Sequence, residues 1–307
     1  MAAPWHRGEL ALQERAGAAA RMAEIGPRAI RNFMPDQHRG FFAQLPFLLA
    51  GHQDARGQVW ASLLAGPPGF ATSPDPATLT INTRPLAHDP LTDGLAPGLP
   101  LAILGIELPT RRRNRANGHV LSTGPDGFTL GVEESFGNCP KYIARRDYEA
   151  APVALLHSET LEKLDGTERE LIASSTGFFV ASSPGAGKLP DVSHRGGSAG
   201  FVRIEPDGTL AIPDYTGNFF FNTLGNFLLY PRAGLLFPDF VSGDLLQLTG
   251  TAWLADDDSA RALPGAERIW RFRTTAGHWL RGVLPFRATK GEASPFWPAP
   301  VDRRTSG

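Results

Sequence analysis

The sequence has a single cysteine, Cys139, in 307 residues. That excludes an intrachain disulfide, fits a reducing compartment and leaves no sulfur-rich zinc site. Eight histidines are present, but none has the H-x-x-x-H or H-E-x-x-H spacing that sets two imidazoles on one helix face, so no metal is expected. Charge is also lacking: 30 Lys and Arg against 31 Asp and Glu leave a net −1. A chain this neutral has no field to hold nucleic acid or a membrane surface. No apolar run approaches the roughly 18 residues that cross a bilayer. The opening MAAPWHRGEL has no basic stretch followed by an apolar core, so no signal peptide is read and a cytoplasmic protein is expected. There is no G-x-S-x-G elbow. The loop at 183–189 imitates a phosphate loop, but Ser182 replaces its first glycine and Leu189 its magnesium-holding hydroxyl.

What is present is an apolar fraction of 42%, enough for a sizeable core, and a length suited to two modest domains. Residues 8–32 have helical apolar spacing, which Gly26-Pro27 is expected to break. Residues 59–70 read as a strand running into glycines. At an ungapped offset of 131, Ser62 falls on Ser193, Gly66 on Gly197, Gly69 on Gly200 and Phe70 on Phe201. Thr78, Leu79 and Ile81 fall on Thr209, Leu210 and Ile212, making seven identities in 21 positions. One further shift sets Gly118 on Gly250 and 101–104 on 233–236. This predicts a duplicated β-rich domain. The expected organisation is a helical arm (1–34), a first repeat (35–125), a helical connector (126–167), a second repeat (168–290) and a tail (291–307).

Polar residues beside glycines mark the second repeat. An apolar run at 171–181 reads as a strand, followed by a hairpin loop and then by Ser193, His194, Arg195, Gly196 and Gly197, where backbone can approach a ligand closely. Ser193 and His194 point to opposite faces, so they do not form a hydrolytic pair. Asp214, Tyr215, Asn218, Asn222, Thr223 and Asn226 form a second cluster. Asn222 and Asn226 share a face if 220–230 is helical, although Asp and Asn favour turns without any ligand. In the connector, Pro140 suits a first helical turn capped by Asn138 or Cys139, with Lys141 and Arg145 one turn apart beside its positive end. Residues 155–170 read as an amphipathic helix with Ser158 at its N-cap. The run Arg111-Arg112-Arg113-Asn114-Arg115 reads as a strand with alternate arginines on one face. It is either a charge-guarded edge or a source of ligand cations.

The motifs DVSHRGG-x-x-GFV, IPDYTGNFFFNTLGN, YPRAGLLFPDFVSGDLLQLTG and NCPKYI together resemble the pyridoxamine 5′-phosphate oxidase-related FMN-binding family. The resemblance implies a mainly β fold with flanking helices: two tandem split β-barrels forming an internal pseudo-dimer, since the family's barrel is normally a homodimer with flavin in the intersubunit cleft. It implies FMN as cofactor, with Ser193, His194, Arg195, Gly196, Gly197, Asp214, Tyr215, Asn218, Asn222, Thr223, Asn226, Lys141 and Arg145 as its contacts and Trp60 or Tyr215 walling the ring. No catalytic residue is assigned. The implied activity is oxidation or reduction of a small molecule, with a partner such as NAD(P)H. The alternative is a non-catalytic flavin- or haem-binding module serving an electron-transfer protein. Two departures matter. No Lys or Arg lies between 217 and 230, where related barrels hold the phosphate, and the tail lacks the Arg-x-His element of the vitamin B6 oxidases.

Overall fold

The computed structural model describes residues 4–153, 157–255, 263–289 and 291–298. An N-terminal arm of α1 (Arg7–Arg15) and α2 (Ala19–Ala29) leads through α3 (Asp36–Ala43) into strands β1 (Phe47–Gln53), β2 (Val59–Ala65), β3 (Ala71–Thr72) and β4 (Thr78–Ile81). After α4 (Leu91–Gly94) come β5 (Pro100–Glu107), β6 (Arg112–Gly124) and β7 (Gly127–Gly137). Residues 126–167, expected as a helical connector, instead hold β7 of the first sheet, β8 (Tyr148–Ala150) and β9 (His157–Leu161). Next are α5 (Gly166–Ser174), β10 (Gly177–Ser182), β11 (Asp191–Gly196), β12 (Arg203–Ile204), β13 (Leu210–Tyr215) and α6 (Asn222–Leu229). The chain closes with β14 (Arg232–Asp239), β15 (Asp244–Leu254), β16 (Ala266–Arg281) and β17 (Phe286–Ala288).

The fold is mainly antiparallel β with few helices. One sheet has the order β2-β1-β5-β6-β7-β4-β3 and the other β11-β10-β14-β15-β16-β13-β12, so each strand of the first has a counterpart nine labels on. Register agrees. Leu49 lies opposite Leu63 and Leu104, and Phe179 lies opposite His194 and Leu236. The pairing of β6 with β7 slips between Asn117 and Gly118, and that of β15 with β16 slips between Thr249 and Gly250.

Alternation along the inner strands explains their apolar sequences. Leu48 and Ala50 of β1 enter a core with Phe42, Leu79, Ile103 and Leu130, whereas Phe47 and Leu49 face the other sheet. On β10, Phe178 and Val180 pack with Trp270 and Phe272, whereas Phe179 and Ala181 face back towards β1. A strand buried on both faces reads as a continuous apolar run. The sheets therefore share an apolar interface that includes Leu63, Leu104, Val192, Leu236 and Leu280. No helix among the described residues is long and apolar enough to cross a membrane.

Four local expectations are corrected. Gly26-Pro27 lies inside α2, and the arm breaks instead at Gly17, where φ is +63°. Residues 171–174 end α5 rather than begin a strand. Ser158 lies in β9, whose residues pair with β16 where a helix was expected; 154–156 lie outside the described residues. The segment after Asn138 forms no helix. Tyr142 has φ +65°, and backbone pairing of Arg145 with Glu292 ties the chain down in an extended course.

The arm docks by backbone contact. A Cβ on Gly8 would stand 2.1 Å from the Gly225 carbonyl oxygen, and one on Gly225 would stand 2.7 Å from the Glu9 nitrogen. We predict that Gly225→Ala forces α1 and α6 apart and costs about 1–3 kcal/mol of stability, measured by urea unfolding. An unchanged midpoint would show that the arm does not rest on this crossing.

Candidate functional site

Strand alternation places Asp191, Ser193 and Arg195 of β11 on one face, and Arg113, Arg115 and Asn117 of β6 on the face that meets it. The two strands belong to different sheets. Arg115 crosses the junction. Its Nη1 donates to Asp191 Oδ1 at 3.0 Å and to Asn222 Oδ1 at 3.1 Å, and its Nη2 donates to Ser193 Oγ. Asn117 Nδ2 also donates to Asp191 Oδ1, at 3.3 Å. Arg113 donates to the Cys139 carbonyl and has no carboxylate partner among the described residues; burial pushes its pKa down to about 9, with Arg115 adding repulsion. Gly196 lets the connector close against β11, because a Cβ there would stand 2.1 Å from the Tyr142 carbonyl oxygen.

Arg113, Arg115, Cys139, Tyr142, Ser193, Arg195 and Gly196 wall a cleft open to solvent. The opposite wall is the end of β13, the turn to α6 and the first turn of that helix. Asp214 is buried and takes Arg195 on Oδ1 at 3.4 Å and Arg268 on Oδ2 at 3.5 Å. Burial raises its pKa, against the pull of both arginines. Tyr142 and Tyr215 face each other with ring centres 5.0 Å apart. Burial raises the Tyr215 phenol to about 12, so it stays protonated. Phe219 and Phe221 carry φ of +64° and +59°, conformations that bulky residues adopt only when the surroundings impose them. Here Arg21 lies over the Phe219 ring and Arg268 over that of Phe221.

A buried polar network backs the cleft. Asn222 Nδ2 donates to Glu9 Oε1 at 2.6 Å. Asn226 Nδ2 donates to Ser182 Oγ at 2.9 Å and to Asp191 Oδ2 at 3.4 Å, and its Oδ1 meets His6 Nε2 at 2.8 Å. Burial, helped by Asp191, raises Glu9 to about 8, and burial also raises Glu134 to about 7. The N-terminal arm thus supplies part of the scaffold behind β11.

Of the expected contacts, Ser193, Arg195, Gly196, Asp214, Tyr215, Asn218, Asn222, Thr223 and Lys141 line the cleft. Four are corrected. His194 contributes to the lining, but its ring is turned off the Ser193 face: it lies edge-on to Phe179, and Nε2 stands 2.7 Å from where a Gly177 Cβ would be. Burial and the neighbouring arginines hold its pKa well below 6.5, so the ring is neutral. Gly197 turns away to bond the Thr176 carbonyl, and Asn226 is sealed in the network. Arg145 pairs with Glu292 at 3.4 Å at the surface, far from the role expected beside Lys141. Trp60 is also away from the cleft, bonded to Asp54. The sequence offered the run holding Arg113 and Arg115 as a charge-guarded edge or a source of ligand cations, and their alternation on a strand was the usable signal. Tyr142, Glu267 and the Phe219–Phe221 turn carried no signal of that kind.

No protein-family model and no curated protein matches the chain. Among solved structures, HupZ of Group A Streptococcus is 16% identical over 34% of this chain and 84% of its own, with a TM-score of 0.28. HutZ, the heme storage protein of Vibrio cholerae, is 13% identical over 40% of this chain and 97% of its own, with a TM-score of 0.28. A Clostridium acetobutylicum protein related to general stress protein 26, of the pyridoxinephosphate oxidase family, is 19% identical over 40% and 90%, with a TM-score of 0.28. Scores this low carry no argument about ligand or chemistry.

Glu9 gives the cleft scaffold a pH signature. Its folded pKa of about 8 lies above its ordinary value, so the folded state holds the extra proton. That contribution is complete below about pH 4.5 and is lost as pH rises through 8. Glu9→Gln therefore gains on the wild type between pH 6 and 8.5, by up to about 1 kcal/mol per pH unit. Urea melts at both pH values give the difference; a constant gap would mean that Glu9 is ionised throughout.

Proposed function

We propose that the chain is an FMN-binding flavoprotein whose two sheets are tandem split-barrel repeats arranged as an internal pseudo-dimer. The supporting observation is the charge of the cleft. Its lining holds Arg113, Arg115, Lys141 and Arg195 against only Asp214 and Glu267. The Nε atoms of Arg113, Arg115 and Arg195 and the Nδ2 of Asn138 are buried without hydrogen-bond partners among the described residues. Buried donors left unpaired are costly, and a phosphate supplies the acceptors they lack. The residues fit the cofactor. Arg113, Arg115, Arg195, Ser193 and Thr223 would hold the phosphate, and Tyr142 and Tyr215 would border the ring. The matched strand orders and bulges support the duplication, and the absence of basic residues at 217–230 is answered by β6 of the other sheet.

When bound, FMN supplies hydride or single-electron transfer, and the protein supplies position and field. The activity we assign is oxidoreduction of a small molecule, with NAD(P)H or another donor, in a cytoplasmic protein. The haem alternative has less support, because the histidine of the lining, His194, has its ring packed against Phe179.

The phosphate assignment predicts that Arg113→Ala and Arg195→Ala each weaken FMN about tenfold to a hundredfold, as expected for a charge-assisted contact of about 1.5–3 kcal/mol. Riboflavin, which lacks the phosphate, should bind both variants and the wild type alike. Fluorescence titrations of both flavins measure this. Equal losses for the two ligands would remove the arginines from the phosphate site, and a Soret band in the purified protein would overturn the flavin reading.

A further inference from the structure

The two sheets reach across their junction reciprocally. Arg115 lies opposite Leu104 on β5, and Gln247 lies opposite Leu236 on β14, so Gln247 holds in the second sheet the place of Arg115 in the first. By the same register Ser62 holds the place of Ser193, Thr249 that of Asn117, Leu245 that of Arg113 and Leu64 that of Arg195. Arg115 and Asn117 bond to β11; Gln247 and Thr249 bond to the Ala61 and Val59 carbonyls of β2, at 2.9 and 2.8 Å. The chain therefore contains a second, mirror position of the cleft.

Both guanidiniums flanking the open cleft are replaced there by leucines with no exposed surface. The two polar positions survive, and both donate to one carboxylate. Ser62 Oγ reaches Asp89 Oδ1 at 2.6 Å, and Gln247 Nε2 reaches Asp89 Oδ2 at 2.8 Å. The Leu91 backbone N–H adds a third bond at 2.8 Å. Asp89 is 2% exposed, and no cation pairs with it among the described residues. Such a residue is normally expensive to bury, and its burial does raise its pKa, to about 6. Its three donors leave it a carboxylate near neutral pH.

We infer that the mirror position is an anion site filled by the chain's own Asp89 carboxylate, which sits against the counterparts of Ser193 and Arg115, so that each chain takes one phosphate-bearing ligand instead of two. The site's chemistry is that of a small carboxylate held by neutral donors. The stoichiometry rests on the flavin reading above, whereas the anion site itself does not.

Two measurements on the full chain decide the matter. Asp89→Ala removes the internal anion. Its melting temperature should fall by several degrees and recover in tens of millimolar formate, beyond any effect of chloride at equal ionic strength or of formate on the wild type. No formate-specific recovery would overturn the anion site, with or without flavin binding. Should the alanine variant not fold, Asp89→Asn keeps the volume and one acceptor. A carboxylate with a raised pKa loses stability as pH rises from about 4 to 7, so the asparagine variant's melting temperature should climb relative to the wild type over that range. A flat difference would overturn the assignment. Titration with FMN should saturate at one per chain in the wild type; two per chain would show that the mirror position is open.

Discussion

The contact of Arg115 with Asp191 and Ser193 holds the candidate site together. The arginine's side chain is 4% exposed and the aspartate's 11%, so the pair is taken out of water at the seam of two sheets. Desolvation of this kind is repaid only when the remaining donors and acceptors are also met. Asn117, Asn222 and Asn226 meet them, and they come from β6 and from α6, while Glu9 reaches the same group from the arm. Four parts of the chain are fixed by one buried ion pair. Arg115 Nε is left over, so the scaffold retains a donor that it does not itself use.

The two sheets share a strand order but differ at their two seams. In one seam, β6 keeps arginines at positions 113 and 115 opposite the hydroxyl of Ser193. In the other, β15 has Leu245 and Gln247 at the matching positions, and the space is closed by leucines and Asp89. The apolar seam contributes to cohesion and the polar seam can be spent on a ligand. Neither assignment would be available to a symmetric pair, in which each substitution appears in both sites.

Much of this division was legible in the sequence. The offset of 131 and the later shift at Gly118 and Gly250 match the register and both bulges, because glycines and alternating apolar residues are fixed by the pleat itself. Ser193 and Arg195 were legible for the same reason: alternate residues of one strand share a face. The same alternation, already read in the sequence, turns the His194 ring off the Ser193 face. The expected pairing of Lys141 with Arg145 went differently: Lys141 lines the cleft and Arg145 does not. Helical spacing gave them a common face, but Tyr142 in a left-handed conformation and the pairing of Arg145 with Glu292 are tertiary effects that local propensity does not contain. Asn226 had the right chemistry and the wrong side of α6.

The burial of Arg113 bears on selectivity. A guanidinium at the open surface binds any anion weakly, because water and salt screen it. Arg113 is desolvated enough to fall to about 9, and among the described residues its side chain has only a carbonyl as partner. Its unmet interaction is strongest with a ligand that brings several acceptors and fills the neighbouring space, so that water leaves as the anion enters. Monovalent ions satisfy the charge without that second condition. The tyrosine pair and the Phe219–Phe221 turn provide the surface over which the second condition operates. Charge and aromatic wall therefore adjoin: Arg113, Arg115 and Arg195 share the cleft with Tyr142, Tyr215, Phe219 and Phe221.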